Sequence, residues 1–207
     1  MVKFPNPPPA SRLAELSPRI KPLWAGAELW RIYFRSGRYP GTWNGFRIFG
    51  PSDARFDHHL PPAHDQSRGI LYGATEITTC VAEVFQNKRI LDRHQGDPWL
   101  AGLRLEREVP LHDLTGTWPT AAGASMAINT GTRPRAQKWS RAIYESYMSV
   151  QAIWYCSSMH ANQPAILLYE RAHDALPAEP FFHRALADPL LFIPLKNAAA
   201  GLGYDFA

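Results

Sequence analysis

The sequence has only two cysteines, Cys80 and Cys156, so no disulfide framework staples it, and such thiol usage fits a reducing cytoplasm. Long hydrophobic runs are also missing. No stretch approaches the roughly 18 uninterrupted apolar residues of a membrane span. Even Leu190 to Leu195 is broken by Pro194 and ended by Lys196, so a soluble protein without a membrane partner is expected. Lysine is scarce: Lys3, Lys21, Lys88, Lys138 and Lys196 are five of 22 basic residues. Nor do the basic residues cluster as a nucleic-acid footprint requires, so direct nucleic-acid binding is not expected. Met-Val-Lys-Phe-Pro-Asn-Pro-Pro-Pro at the start carries no apolar h-region, which argues against an export signal.

What is present suits a buried core. Apolar residues make up 45% of 207 residues and aromatics 12%, which excludes disordered and collagen-like chains. That length corresponds to one domain or two small ones. With no repeat, linker or second composition regime, a single α+β domain is expected. The net charge of +4 is dominated by arginine, whose planar fork suits phosphates and carboxylates. An anion pocket and an ordinary arginine-rich surface both remain open on this basis. Proline, 19 residues or about 9% against a usual 5%, concentrates in the N-terminal tail, a long loop and the C-terminal segment.

Along the chain, residues 1–10 form a proline-rich tail, followed by a short helix over Ser11 to Leu16. Glu28 to Arg35 is expected as a strand. Ser36 to Gly69, rich in Gly, Pro, Asp, Asn and His, is too long for a passive connection and is expected as a functional loop. Gly69 to Gly73 is expected as a short buried strand. Thr75 then caps a helix to about Asn87, with an apolar stripe at Ile77, Cys80, Val81, Val84 and Phe85. Strands are expected at Trp99 to Leu105, Val109 to Leu111, Ala152 to Cys156, Ala165 to Tyr169 and Leu190 to Leu195. Helices are expected at Pro134 to Met148 and Phe181 to Ala187. Asp113 to Gly116 is expected as a turn, and Thr120 to Gly131 has no assignable pattern.

Several residues stand out chemically. Arg31 shares a strand face with Leu29 and Tyr33, while Trp30, Ile32 and Phe34 form a wholly apolar face. Arg31 is therefore expected on the side free to meet a cleft, with a solvent-facing or salt-bridged arginine as the plain alternative. Arg55, in Ala54-Arg-Phe-Asp-His-His59, can supply a second guanidinium, and Arg47 is its rival. Asp57, His58, His59, His64 and Asp65 invite a metal, but their spacing matches no known zinc pattern, so none is expected. Glu83 lies about 60° from Cys80 on a helical wheel, at the border of the buried face, where a carboxylate can be packed and still reach a pocket. Glu76 is a weaker candidate on nearly the same side. Tyr72 ends the short strand, and Ser157 and Ser158 follow another strand without any nucleophile-elbow setting. Both thiols lie in apolar patterns and are expected to be inert core residues.

In this order the residues resemble the RES domain family, named for an Arg, a Glu and a Ser. The matching pieces are Leu29-Trp30-Arg31-Ile32, Phe49-Gly50-Pro51 leading to Ala54-Arg55-Phe56-Asp57, and Gly69-Ile70-Leu71-Tyr72. Ala82-Glu83-Val84-Phe85, Ile153-Trp154-Tyr155-Cys156-Ser157 and Leu167-Leu168-Tyr169-Glu170 complete the series. Ala54 stands where the family often has Gly, and Cys156 where it often has Pro. The resemblance implies a tail and short helix over 1–28, a RES-like domain over 29–207, and a small mixed sheet with flanking helices similar to ADP-ribosyltransferase toxins. It also implies a bacterial toxin that cleaves the nicotinamide–ribose bond of NAD by hydrolysis or phosphorolysis. A transferase that passes ADP-ribose to a protein, and a non-catalytic anion-binding module, stay open as alternatives. NAD would be the substrate, and no metal is implied. Glu83 would stabilise the ribosyl cation, Arg31 and Arg55 would grip the pyrophosphate, Tyr72 would orient the nicotinamide side, and Ser157 would bond the cofactor or an acceptor. A helix-turn-helix antitoxin is the implied partner, and a homodimer stays open.

Overall fold

The computed structural model describes residues 4–207, so Met1, Val2 and Lys3 of the expected tail lie outside the described residues. The chain first forms a one-turn helix α1 (Ala10–Leu13), which ends three residues earlier than expected, and then strands β1 (Ile20–Leu23), β2 (Glu28–Phe34), β3 (Arg47–Gly50) and β4 (His64–Ala74). Helix α2 (Ile77–Phe85) leads to β5 (Ile90–Leu91), β6 (Pro98–Arg104) and β7 (Val109–Asp113). Short helices α3 (Trp118–Ala121) and α4 (Ala127–Thr130) precede α5 (Arg133–Ser146), and β8 (Ala152–Cys156) and β9 (Pro164–Tyr169) follow it. The chain closes with β10 (Phe182–Ala185), α6 (Phe192–Leu202) and β11 (Asp205–Phe206).

The result is a mixed α+β architecture. Its sheet is not small: nine strands run in the order β1-β7-β8-β9-β4-β2-β6-β10, with β3 also paired to β4. Among the described residues β7 and β8 are parallel, and the other pairs of this sheet are antiparallel. Strand alternation divides the core between the two faces. On β8, Ile153 and Tyr155 pack under α5 with Trp139 and Ile143, while Ala152 and Trp154 join Leu168 and Leu111 on the opposite face. Beside the α5 cluster, α2 and α6 cover β2 and β6 through Cys80, Val81, Leu195 and Ala199, packed on Ile32 and Leu100.

Several expectations are corrected. The segment 36–69 is no single loop, because β3 and the first half of β4 lie within it and pair with one another. Its turn-forming composition hides short strands whose side chains are largely exposed. The expected helix at Phe181 to Ala187 is an edge strand, β10, paired along β6, with Phe181 and Phe182 edge-on to Trp30 at 5.4 and 5.5 Å. The expected strand at Leu190 to Leu195 is a 3-10 turn followed by α6. There Leu191, Leu195 and Ala199 are buried at a helical interval, and Pro194 is accommodated in the first turn, where amides lack intrahelical partners. Residue Glu76, not Thr75, is the N-cap of α2, and the buried face of α2 takes in Thr79 and Ala82, while Ile77 and Val84 are partly buried against the same cluster. Asp113 is the last residue of β7 and also opens the expected turn, its carboxylate accepting from the Thr115 amide at 2.8 Å and hydroxyl at 2.6 Å.

Candidate active site

β2 and β4 pair at one position, Trp30↔Ala74, and then part. Their closest approach needs Gly73, since a Cβ there would come within 3.0 Å of the Trp30 carbonyl oxygen. Beyond it, at the seam between the α5 and α2/α6 clusters, lies a cavity of about 200 Å³. Ile32, Ala74 and Cys80 line its strand and helix side together with Arg31, Tyr72 and Tyr155. Ala54, Arg55, Gln86, Arg133 and Ser158 line it from loops and element ends, and Glu83 and Val84 complete the wall.

Arg31 reaches this space differently from the expectation. Its own strand face is the closed one, since Leu29 and Tyr33 are buried there under Trp43 and Phe46. The guanidinium occupies the gap between the parted strands, where Nη1 donates to the Tyr72 carbonyl at 3.4 Å and Nη2 to that of Gly45 at 3.2 Å. Its Nε is sealed from solvent without a partner, and no carboxylate pairs with it among the described residues. Burial draws its pKa down to about 10, so it stays cationic at neutral pH. The Tyr72 hydroxyl is likewise buried and unpartnered, and burial holds it protonated. Arg31 and Tyr72 both line the cavity, and each carries a buried donor without a partner.

Arg55 reaches the cavity, and its rival Arg47 does not. The loop carrying Arg55 is folded around Asp57, whose buried carboxylate accepts hydrogen bonds from the Ser52 amide at 2.6 Å, Ser52 Oγ at 2.8 Å and the His59 amide at 3.0 Å. It also binds the His59 imidazole at 2.7 Å and the Arg47 guanidinium at 3.0 Å, which explains where Arg47 is used. Burial alone would raise the Asp57 carboxyl. His59, Arg47 and the two amides outweigh it and hold the group well below the usual carboxylate range. The freed Arg55 donates Nη1 to the Gly131 carbonyl. Asp57 and His59 therefore serve the loop, and among the described residues no three His, Cys, Asp or Glu side chains come together as a metal site.

Glu83 sits at the end of α2 facing the turn that joins β8 to β9. Ser157 Oγ donates to Glu83 Oε1 at 2.5 Å and accepts from the amides of Met159 at 3.2 Å and His160 at 3.1 Å. With both acceptor directions filled by amides, the hydroxyl proton is directed at the carboxylate. One turn earlier on α2, Thr79 Oγ1 contacts His160 Nδ1 at 2.9 Å, so the turn is joined to the helix twice. Burial raises the Glu83 carboxyl above its ordinary pKa, opposed by the Ser157 bond and by the Arg55 and Arg133 charges. Ser157 is fully buried behind Glu83, whereas Ser158 reaches the cavity wall. Glu76 is exposed and outside it. Cys80 lines the cavity with its thiol donating to the Trp30 carbonyl at 3.0 Å, and burial pushes its pKa up to about 12, which leaves it unreactive.

Sequence reasoning missed Arg133, Gln86 and Asn129. Asn129 ties the end of β8 to the Leu114 carbonyl and takes the Cys156 amide, fixing the backbone just before Ser157. Arg133 opens α5, donating to Asp53 at 2.6 Å and to Gln86 at 2.9 Å. The one local signal for it was Pro134 at a helix start.

A family model described as RES domain matches residues 28–188. Comparison with curated proteins returns no match. Among solved structures the fold is similar to the M. tuberculosis MbcT-MbcA toxin-antitoxin complex, with a TM-score of 0.58 and 14% identity over 92% of this chain and 97% of that one.

Proposed function

The chain belongs to the RES domain family, and on that premise we propose that it is a toxin-like enzyme cleaving the nicotinamide–ribose bond of NAD, by hydrolysis or phosphorolysis. The observation carrying this reading is Glu83, a desolvated carboxylate held by Ser157 in one cavity with Arg31, Arg55 and Tyr72. Breaking the bond sends its electron pair onto the pyridinium nitrogen, so nicotinamide leaves neutral and needs no proton donor. One carboxylate therefore suffices, unlike the pair that flanks an ordinary glycosidic bond. The ribose carbon becomes cationic as the bond lengthens. A carboxylate in a low-dielectric site attracts that charge far more strongly than it would in water. The same burial that raises the Glu83 carboxyl makes its anion most responsive to a neighbouring cation. The arginines supply the charge for the dinucleotide's anionic portion, and Tyr72 offers a ring face and an unpartnered hydroxyl to the nicotinamide side.

A toxin of this kind needs restraint by an antitoxin, here proposed as a helix-turn-helix protein that covers the cavity in the cytoplasm. The fold's likeness to a toxin captured with its antitoxin supports the existence of such a partner.

The test is incubation of the purified protein with NAD, with and without inorganic phosphate, followed by product identification. Nicotinamide with ADP-ribose marks hydrolysis, and nicotinamide with ADP-ribose-1″-phosphate marks phosphorolysis. ADP-ribose found on co-expressed proteins by mass spectrometry would favour transfer instead. NAD left intact, or a Glu83→Gln protein as active as the wild type, would overturn the reading.

A further inference from the structure

The cavity's three cations divide between two depths. Arg31 lies between β2 and β4 and spends two donors on backbone carbonyls. Arg55 and Arg133 are instead carried by a loop and a helix start, the Arg133 side chain is 29% exposed, and Arg55 donates to Gly131 only two residues from Arg133. A space of about 200 Å³ is below the roughly 300–1,000 Å³ that encloses a drug-sized ligand. It can take one end of a dinucleotide and must leave the middle of that molecule at the opening.

Arg133 is built to meet that middle portion. Its Nη1 is held by Asp53 and its Nη2 by Gln86, which fixes the direction of the fork and leaves three of its five donors unused. Gln86 is itself anchored, since its Nε2 donates to the Glu83 carbonyl at 2.6 Å. Asp53 is 79% exposed, so its ion pair with Arg133 is screened by solvent and competes weakly with a substrate anion. The neighbouring guanidiniums of Arg55 and Arg133 repel each other, a cost that a shared dianion removes.

We propose that Arg133 is a substrate-binding residue that, with Arg55, forms the clamp for the pyrophosphate of the dinucleotide, leaving Arg31 and Tyr72 to face the end inserted into the cavity. The clamp rests on the NAD-cleaving reading given above. It revises the pairing of Arg31 with Arg55 suggested by the family resemblance.

Steady-state NAD consumption by the full-length wild type, Arg133→Gln and Arg133→Lys tests it, with inorganic pyrophosphate as a competing ligand. Arg133→Gln should raise KM and weaken pyrophosphate inhibition by about tenfold to a hundredfold, the usual worth of one charge-assisted hydrogen bond. Because the Arg133 charge also bears on Glu83, kcat is compared above the acid limb of the pH profile, where Glu83 is ionised in both proteins, and should there fall by much less than KM rises. Arg133→Lys, which keeps the charge without the fork, should fall between the two and also serves if the glutamine protein folds poorly. A wild type that consumes NAD beside variants with unchanged KM and unchanged pyrophosphate inhibition overturns the clamp and leaves the parent reading intact. A wild type that leaves NAD untouched overturns both.

Discussion

Ser157 is joined to Glu83 by a 2.5 Å hydrogen bond across 74 residues of sequence, and the serine has no spare lone pair for substrate because two backbone amides occupy it. We propose that its part in the site is to hold Glu83 and favour the ionised carboxylate. Removing the hydroxyl in Ser157→Ala should let burial raise the Glu83 carboxyl further. The acid limb of the pH–rate profile then moves to higher pH, so the loss of kcat should be greatest on that limb and shrink above it. Ser157→Thr should restore part of the activity. A loss equal at every pH would contradict this role.

Glu83→Gln should abolish NAD cleavage and at the same time stabilise the fold. The folded carboxyl is raised above its unfolded value of 4.5, so ionisation costs stability as pH rises through the folded pKa, and an amide avoids that cost while still accepting from Ser157. At neutral pH the variant should melt higher, by roughly 2–4 °C for each kcal/mol recovered, and its advantage should disappear below about pH 4. Thermal melts of both proteins between pH 4 and pH 8 measure it.

Asp57→Asn should loosen the loop that carries Arg55. Five hydrogen bonds converge on this buried carboxylate, and breaking such a network costs on the order of 3 kcal/mol, or roughly 6–12 °C in Tm at this chain length. Because the folded carboxyl is depressed, its contribution is complete above the unfolded pKa and is lost as pH falls below it. The gap in Tm between variant and wild type should therefore narrow below about pH 4. A constant gap down to pH 3 would show that the charge is not what organises the loop.

His58 is fully buried between Tyr144, stacked at 4.2 Å, and Tyr169, edge-on at 4.8 Å, with neither ring nitrogen hydrogen-bonded. Burial, then the neighbouring His59 and Arg68, draw its pKa down to about 2, so the folded state keeps it neutral. The unfolded chain takes up a proton at its ordinary value near 6.5, and stability falls below that pH by up to about 1.4 kcal/mol per pH unit. His58→Phe keeps the stacking and removes the proton site, so urea unfolding should lose less stability between pH 6.5 and pH 4 than in the wild type. The remaining slope belongs partly to His112, which burial lowers to about 4.

Local pattern in the sequence determined the central strands, α2 and α5, because short apolar, aromatic and β-branched runs at β2, β8 and β9 and a helical stripe at Cys80, Val81 and Phe85 each reflect burial that a single element experiences. It also placed Glu83 at the border of the buried face of α2, for the same reason. The identities of β10 and α6 were decided by tertiary context: Phe182 to Ala185 became an edge strand beside Trp30, which packs on Phe181 and Phe182, and Phe192 to Leu202 became helix because its apolar spacing is completed beyond Lys196. The cavity itself was invisible in sequence. It exists because β2 and β4 pair once and part, which turns a guanidinium from the closed face of a strand into the gap, and because Asp57 engages Arg47 and releases Arg55. Periodicity records which face of an element is buried. Which distant residues share that buried space, as Glu83 and Ser157 or Arg55 and Arg133 do, depends on the packing of whole elements and was settled only there.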